Sequence, residues 1–256
     1  MKLGLKDKVC VVAGGSGGIG KAVAKTLACE GAITIIIGRN GGRLDDARKE
    51  IEQTTFTSKT YVWIVDVTDE YAVMKFGEML SNLHPEIHGL VNCAFEPGGH
   101  YGQLTNPRME GIDSAAFISD MDTKILGTMR MIRSLKILMP ARSRIVNVGG
   151  MSVRRTGSTI GSMRNAALTA LTKNLADEFS GDGIAVNCVH PGVTVTERWD
   201  EKVSKQTPTG KVGAVGRFIT GEEVADAITF LLSPKSIAIN GESIDVGGGL
   251  LGAIRY

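Results

Sequence analysis

The segment from Val11 to Lys25, VVAGGSGGIGKAVAK, constrains this chain more than any other. An apolar run ends at Gly14, the spacing Gly-x-x-x-Gly-x-Gly continues through Gly18 and Gly20, and an amphipathic stretch follows at once. Read as strand, turn and helix, this places glycines where the backbone turns tightly. The free N–H groups and positive dipole of the helix N-terminus then face outward, which suits a pyrophosphate. The segment predicts a dinucleotide cradle made of Gly14, Ser16, Gly17, Gly18, Ile19 and Gly20.

The rest of the chain repeats the pattern. VCVVAGG, AVAKTLACEGA, ITIIIG, a polar helix from about Leu44 to Thr54, and YVWIVDV alternate β-branched runs with amphipathic ones. GLVNCAF, a long helix from about Ile112 to Met139 stopped by Pro140, RIVNVGG, a helix over roughly Ser162 to Phe179, and IAVNCVH continue it, and EEVADAITFLL with ESIDVGG closes it. Such alternation makes a parallel sheet with crossover helices, so the expected fold is α/β, a doubly wound Rossmann-type sheet. At 256 residues one domain with an internal cleft is expected across 1–256. Residues from about 194 to 217 are rich in Gly, Thr and Lys with weak periodicity, and read as a flexible flap that is poorly ordered without ligand.

Charge and composition exclude other partners. The 29 Lys and Arg nearly balance the 27 Asp and Glu without a basic run, so nucleic acid is not expected. No stretch is apolar for long enough to span a membrane, and the start lacks a cleavable leader, so a cytoplasmic protein is expected. Cys10, Cys29, Cys93 and Cys188 are widely spaced, form no metal-ligand cluster, and read as reduced core residues. No metal site is expected.

The second strand ends in IIIGRN. NAD-selective sites place a carboxylate at this tip to accept hydrogen bonds from the ribose 2′-hydroxyl. Here Gly38 leaves room and Arg39, followed by Asn40, offers a planar charged fork suited to a 2′-phosphate. The expected cofactor is NADP(H).

These residues, with DVTD at Asp66, LVNCA at Asn92, VNVGG at Gly150, HPGVTVTE at Pro191 and INGESIDVGG near the end, resemble the short-chain dehydrogenase/reductase family over roughly residues 5 to 250. The resemblance implies that Asp66 and Val67 flank the adenine and that Asn92 and Ala94 line the cofactor. It implies that Pro191, Gly192, Val193, Thr194 and Thr196 meet the nicotinamide carboxamide and phosphates. It further implies a homotetramer or dimer built through the helices near 112–139 and 160–180 and the C-terminal strand.

Members of that family reduce carbonyls with an Asn, a Ser and a Tyr-x-x-x-Lys. Aligned to that pattern, the chain has Lys124 at the Asn position, Gly150 at the Ser position, Gly161 at the Tyr position and Asn165 at the Lys position. No Tyr lies between Tyr101 and Tyr256, so a shift of register does not restore the acid. Phe95 stands where a glycine commonly ends the Asn92 motif, and reads either as a narrowing of the pocket or as packing. Without the acid, reduction of a plain ketone slows by on the order of a hundred- to ten-thousandfold, whereas a cationic C=N bond needs no oxygen protonation.

The candidate replacements are Lys124 as a cation, Asn165 as an uncharged partner of the nicotinamide ribose, the hydroxyls of Ser152, Ser158 and Ser162, and Tyr101 with His100 on the loop after the fourth strand. Arg154, Arg155 and Arg164 read as surface charge, with recognition of an anionic substrate group as the other reading. Two functions follow. One is an atypical NADPH-dependent oxidoreductase acting on an activated C=N, C=C or C=O bond of a small molecule. The other is a catalytically degenerate NADP-binding protein with a structural, sensing or non-redox role. Gly161→Tyr with Asn165→Lys is expected to raise ketone reduction, unless Gly161 holds a backbone conformation closed to Tyr.

Overall fold

The computed structural model describes residues 2–55, 58–95, 109–156, 158–197 and 213–249. The elements run β1 (Val9–Ala13), α1 (Gly18–Cys29), β2 (Ile33–Gly38), α2 (Gly41–Thr54), β3 (Thr60–Ile64), α3 (Glu70–Leu83) and β4 (Gly89–Asn92). They continue through α4 (Ser114–Met121), a π-helical turn (Asp122–Leu126), α5 (Gly127–Leu135), β5 (Arg144–Val148), α6 (Thr159–Glu178) and β6 (Ala185–Pro191). Short strands β7 (Thr194–Val195) and β8 (Ile219–Thr220), then α7 (Gly221–Leu232) and β9 (Ser243–Val246), follow, with short 3-10 turns between the elements.

Seven strands form one sheet in the order β3-β2-β1-β4-β5-β6-β9, and every neighbouring pair is parallel. The chain winds outward from β1 to β3 and then returns to β4, so the order reverses between β1 and β4. In a doubly wound sheet the carboxyl ends of the strands at that reversal open into a crevice, and ligands bind there.

The period-two alternation of the strands sorts the core. Val9, Val11 and Ala13 of β1 join Val73, Phe76 and Leu80 of α3 and Met131, Ile132 and Leu135 of α5 on one face. Cys10 and Val12 join α1, α2 and α7 through Val23, Leu27, Leu44, Ile51, Val224 and Ile228 on the other. Both faces are covered, which is why the strands are near-continuous apolar runs rather than alternating ones.

Three helix boundaries and one residue class differ from the sequence reading. α2 starts at Gly41 because the Asn40 side chain accepts from Arg43 N–H and caps it. α6 starts at Thr159, three residues early, because Ser158 Oγ accepts from Gly161 N–H. The long helix starts at Ser114 behind the cap of Asp113 and is interrupted by the π turn. Most of the expected flap over 194–217 lies outside the described residues, which stop at 197 and resume at 213; the described ends are regular, since Thr194–Val195 pair with Ile219–Thr220, and Ala214 and Val215 donate to the carbonyls of Gly249 and Gly248. Of the four cysteines, Cys10 and Cys188 are buried, but Cys93 is half-buried and Cys29 is exposed at the last turn of α1.

Candidate cofactor and active site

The cradle is shaped by close backbone approach. A Cβ on Gly14, whose φ is +86°, would lie 2.8 to 2.9 Å from the backbone of Ala94 and Cys93. A Cβ on Gly20 would lie 2.2 Å from the carbonyl oxygen of Gly14. Only glycine fits at either position, so the turn between β1 and α1 is pressed against the end of β4. Gly17, the residue before α1, supplies no side-chain cap, and the first turn of α1 carries no acid. The helix N-terminus is thus left to an external anion, and a carboxylate takes that place: Gly18 N–H donates to Glu197 Oε1 at 2.6 Å. A cradle that a Cβ would fill, capped by a carboxylate, fits a dinucleotide pyrophosphate. Ile19 turns into the core beneath it.

At the tip of β2, a Cβ on Gly38 would meet Ser16 Oγ at 3.5 Å, so the cradle and the strand tip are adjacent. Arg39 is exposed next to them, and Asn40 Oδ1 is engaged in capping α2. Asp66 folds onto its own loop, accepting from the N–H and hydroxyl of Thr68 at 2.9 and 2.8 Å. Val67 is buried, and its carbonyl accepts from Arg130, which also pairs with Asp122 of the π turn at 2.8 Å.

Asn92 and Ala94 divide the work at the end of β4. The Asn92 side chain is buried and donates to Asn147 Oδ1, whose amide donates to Thr172 Oγ1. Asn92 therefore braces β4 to β5 and α6 instead of lining the cleft with its side chain. Ala94 backs Gly14, and its carbonyl accepts from Lys124 Nζ at 3.1 Å. Lys124 is 4% exposed, so its ammonium is buried rather than solvated. It stands on the π turn, where the widened backbone displaces one residue from the helical repeat. Burial pushes its ammonium down to about 8 from the usual lysine value; Arg164 adds to this, while Cys93, Cys188 and Asp120 oppose it.

The family's Ser, Tyr and Lys positions are knitted together by a buried network. Arg164 Nη1 donates to both oxygens of Asp120, at 2.9 and 3.0 Å, and its guanidinium lies 5.3 Å from the centre of the Phe95 ring. Phe95 is thus a packing partner of a buried arginine. Arg164 Nε donates to Asn165 Oδ1 at 3.3 Å. The Asn165 amide donates to the Gly150 carbonyl at 3.0 Å and to Ser152 Oγ at 2.7 Å. Asn165 has no exposed surface, so it holds the loop after β5. The surface reading of Arg164 fails: the residue is inside, neutralised by Asp120. Arg154 pairs with Asp245 at 3.6 Å. Gly150 N–H donates to His190 Nδ1, and Ser162 Oγ donates to the Ser152 carbonyl. Gly161 sits in the first turn of α6, and Ser158 caps it. Tyr101 and His100 lie outside the described residues.

The segment after β6 completes the crevice. Pro191 ends β6 buried, Gly192 N–H donates to the Val246 carbonyl, and a Cβ on Gly192 would lie 2.7 Å from Gly247 Cα. Val193 is half-buried, Thr194 Oγ1 donates back to the Gly192 carbonyl, and the Thr196 methyl lies 3.8 Å from the Cβ position of Gly18. This brings Thr196 beside the glycine turn and packs Gly192 on the loop after β9. Three residues of the site were missed: Asp120, Glu197 and His190. Asp120 had a signal, since it stands four before Lys124 on one helix and so on the same face. His190 and Glu197 are the first and last residues of the HPGVTVTE motif, where no role was assigned to either. Among the described residues, no group of His, Cys, Asp and Glu could hold a metal, and no helix is long and apolar enough to cross a membrane.

The parallel sheet, the glycine cradle at its reversal and the strand ends around it define a dinucleotide-binding α/β protein. Residues 13–251 match the family model described as enoyl-(acyl carrier protein) reductase, and the chain belongs to the short-chain dehydrogenase/reductase family. It is 30% identical to the 3-oxoacyl-[acyl-carrier-protein] reductase FabG of Aquifex aeolicus, over 98% of this chain and all of that one. It superimposes with a TM-score of 0.88 on L-sorbose reductase of Gluconobacter frateurii complexed with NADPH and L-sorbose, at 25% identity and over 99% of this chain and 100% of that one. It superimposes with a TM-score of 0.87 on an NADPH-bound short chain oxidoreductase of Pseudomonas aeruginosa PAO1 described as containing an atypical catalytic center, at 25% identity and over 98% and 99% of the two chains.

Proposed function

We propose that the chain is an NADPH-dependent reductase that reduces an activated C=N, C=C or C=O bond of a small molecule. The observation that carries this reading is the double role of Ala94: its backbone fills the space beside Gly14 of the cradle, and its carbonyl holds the Lys124 ammonium. An acid thus stands one residue from the cofactor seat. NADP(H) is the cofactor, held by the glycine turn with Arg39 at the 2′-phosphate, and when bound it supplies hydride. The chain's own residues position the acceptor and supply charge. Lys124 carries a proton at Nζ that it can release near neutral pH, because burial has lowered its affinity for it. A buried cation also opposes a substrate cation, so a neutral imine or an enone suits the site better than a preformed iminium. The L-sorbose and Pseudomonas proteins, both NADPH-bound, support the cofactor, and the latter's atypical center supports a departure from the family's acid.

A non-redox role is the second reading, and one observation favours it: Asn165 is wholly buried and bonded to protein, leaving it no contact with a ribose. Incubation with NADPH and methylpyrroline, cyclohexenone or cyclohexanone, followed by nicotinamide absorbance, separates the two. The reductase reading expects consumption with the imine or enone above that with the ketone. Exposed Ile118, Leu126 and Met163 on the helices near the site support a homo-oligomer, which light scattering on the eluted protein tests, and the free cysteines among the described residues support a reducing, cytoplasmic setting.

A further inference from the structure

We propose that the buried Asp120–Arg164 pair acts through Asn165 to aim the Ser152 hydroxyl at the substrate heteroatom. The proposal rests on the reductase reading and adds the group that binds the atom being reduced. Asp120 and Arg164 are 5% and 9% exposed, and a buried ion pair is a poor source of stability, since an apolar pair of like size often does as well. What this pair provides is direction. Arg164 is held on three sides, by both Asp120 oxygens and by the Phe95 ring, and its Nε donates to Asn165 Oδ1.

A donor on Oδ1 fixes which end of the Asn165 amide is which. Its two N–H bonds then go to the Gly150 carbonyl and to Ser152 Oγ. Ser152 Oγ accepts that bond at 2.7 Å, and its own hydrogen finds no acceptor among the described residues. A half-buried hydroxyl, accepting behind and free to donate in front, is an oriented hydrogen-bond donor. A charge at the far end of such a chain strengthens each bond along it. Ser152 lies two residues beyond Gly150, so the hydroxyl returns to the loop after β5 at a new position. It donates a hydrogen bond and keeps its proton; the proton that balances hydride addition comes from Lys124 Nζ. Arg164 and Asp120 both act on the Lys124 charge, so the relay and the acid share one region.

The test uses full-length protein, NADPH, and methylpyrroline and cyclohexenone as probes. Ser152→Ala is expected to lower kcat/KM by on the order of a hundredfold, as for loss of one oriented donor, with the NADPH dissociation constant unchanged. Arg164→Met and Asp120→Asn are expected to give similar losses, and Ser152→Thr to recover most of the activity. The Ser152→Ala/Arg164→Met double variant is expected to be no slower than Ser152→Ala alone, because both act through one hydroxyl. A merely structural arginine gives losses that multiply. In ligand-free protein, the Asn165 side-chain amide is expected to exchange slowly by NMR, and quickly in Asp120→Asn, a readout independent of turnover. Should Arg164→Met not fold, Asp120→Asn and the exchange measurement carry the comparison. Full activity in Ser152→Ala, or multiplying losses, overturns the assignment and leaves the reductase reading standing. Absence of NADPH consumption with both probes in the unmodified protein overturns both.

Discussion

Glu197 occupies the N-terminus of α1: its Oε1 accepts from Gly18 N–H at 2.6 Å, inside the glycine turn. A pyrophosphate seeks the same N–H groups, so NADPH must displace this carboxylate and its charge. Glu197→Ala is expected to bind NADPH roughly two- to fivefold more tightly, matching the about 0.3–1 kcal/mol of a charge at a helix terminus. Glu197→Gln, which keeps the acceptor but not the charge, should fall between. Titration of nicotinamide fluorescence measures both, and weaker binding in Glu197→Ala would mean that the carboxylate assists the cofactor.

Arg39 is exposed beside Gly38 at the tip of β2, where no carboxylate stands to hold a 2′-hydroxyl. NADPH is expected to bind more tightly than NADH, by about tenfold or more, from the ~1.5–3 kcal/mol of a charge-assisted hydrogen bond. Arg39→Ala should erase most of the difference. Equal dissociation constants in the unmodified protein would remove Arg39 from the site.

Lys124 gives a pH dependence with a definite sign. Its folded pKa of about 8 lies below the unfolded lysine value, so the folded state binds this proton less tightly than the unfolded chain does. The resulting penalty, about 3 kcal/mol, is fully present below about pH 8 and is relieved as pH rises toward the unfolded value. Lys124→Met is therefore expected to raise the thermal midpoint at pH 7 and to lose that advantage near pH 10. Activity runs the other way: kcat/KM for methylpyrroline should fall as pH rises through about 8, because the acid is lost. A flat profile across that range would remove Lys124 as the proton source.

The sequence made some parts of this site plain and hid others for physical reasons. Gly14 and Gly20 were legible because a close backbone approach admits one residue type, and β1 and β6 because buried parallel strands are apolar throughout. Lys124 was legible as a candidate from its place in the family pattern, but its burial and that of Arg164 were not, since a charge on a helix reads as solvated unless its partner is known. The partners, the Ala94 carbonyl and Asp120, lie 30 and 44 residues away in the chain. Asn92 was placed correctly on β4, but its side chain bonds across the sheet to Asn147, a pairing set by register.

Restoring the family's acid by Gly161→Tyr with Asn165→Lys meets a different obstacle from the one the sequence suggested. Gly161 is in the first turn of a helix without a positive φ, so its backbone admits Tyr. The space does not: a Cβ there would lie 2.6 Å from Ser158 Oγ and 3.0 Å from Ser152 Oγ. Ser158 must rotate away and give up the cap it makes to Gly161 N–H, at about 1 kcal/mol. Asn165→Lys adds a third buried cation to the region of Arg164 and Lys124 and removes the acceptor of Arg164 Nε, a loss of a few kcal/mol. The double variant is therefore expected to unfold at lower temperature and to reduce cyclohexanone no faster than the unmodified protein. Adding Arg164→Met and Ser158→Ala removes the excess charge and the nearer of the two crowding oxygens, leaving Asp120 to face the new lysine. Ketone turnover should rise only in that fourfold variant. A gain in cyclohexanone reduction from the double substitution alone would show that Arg164 and Ser158 yield easily, and that the network around Asn165 is softer than its burial implies.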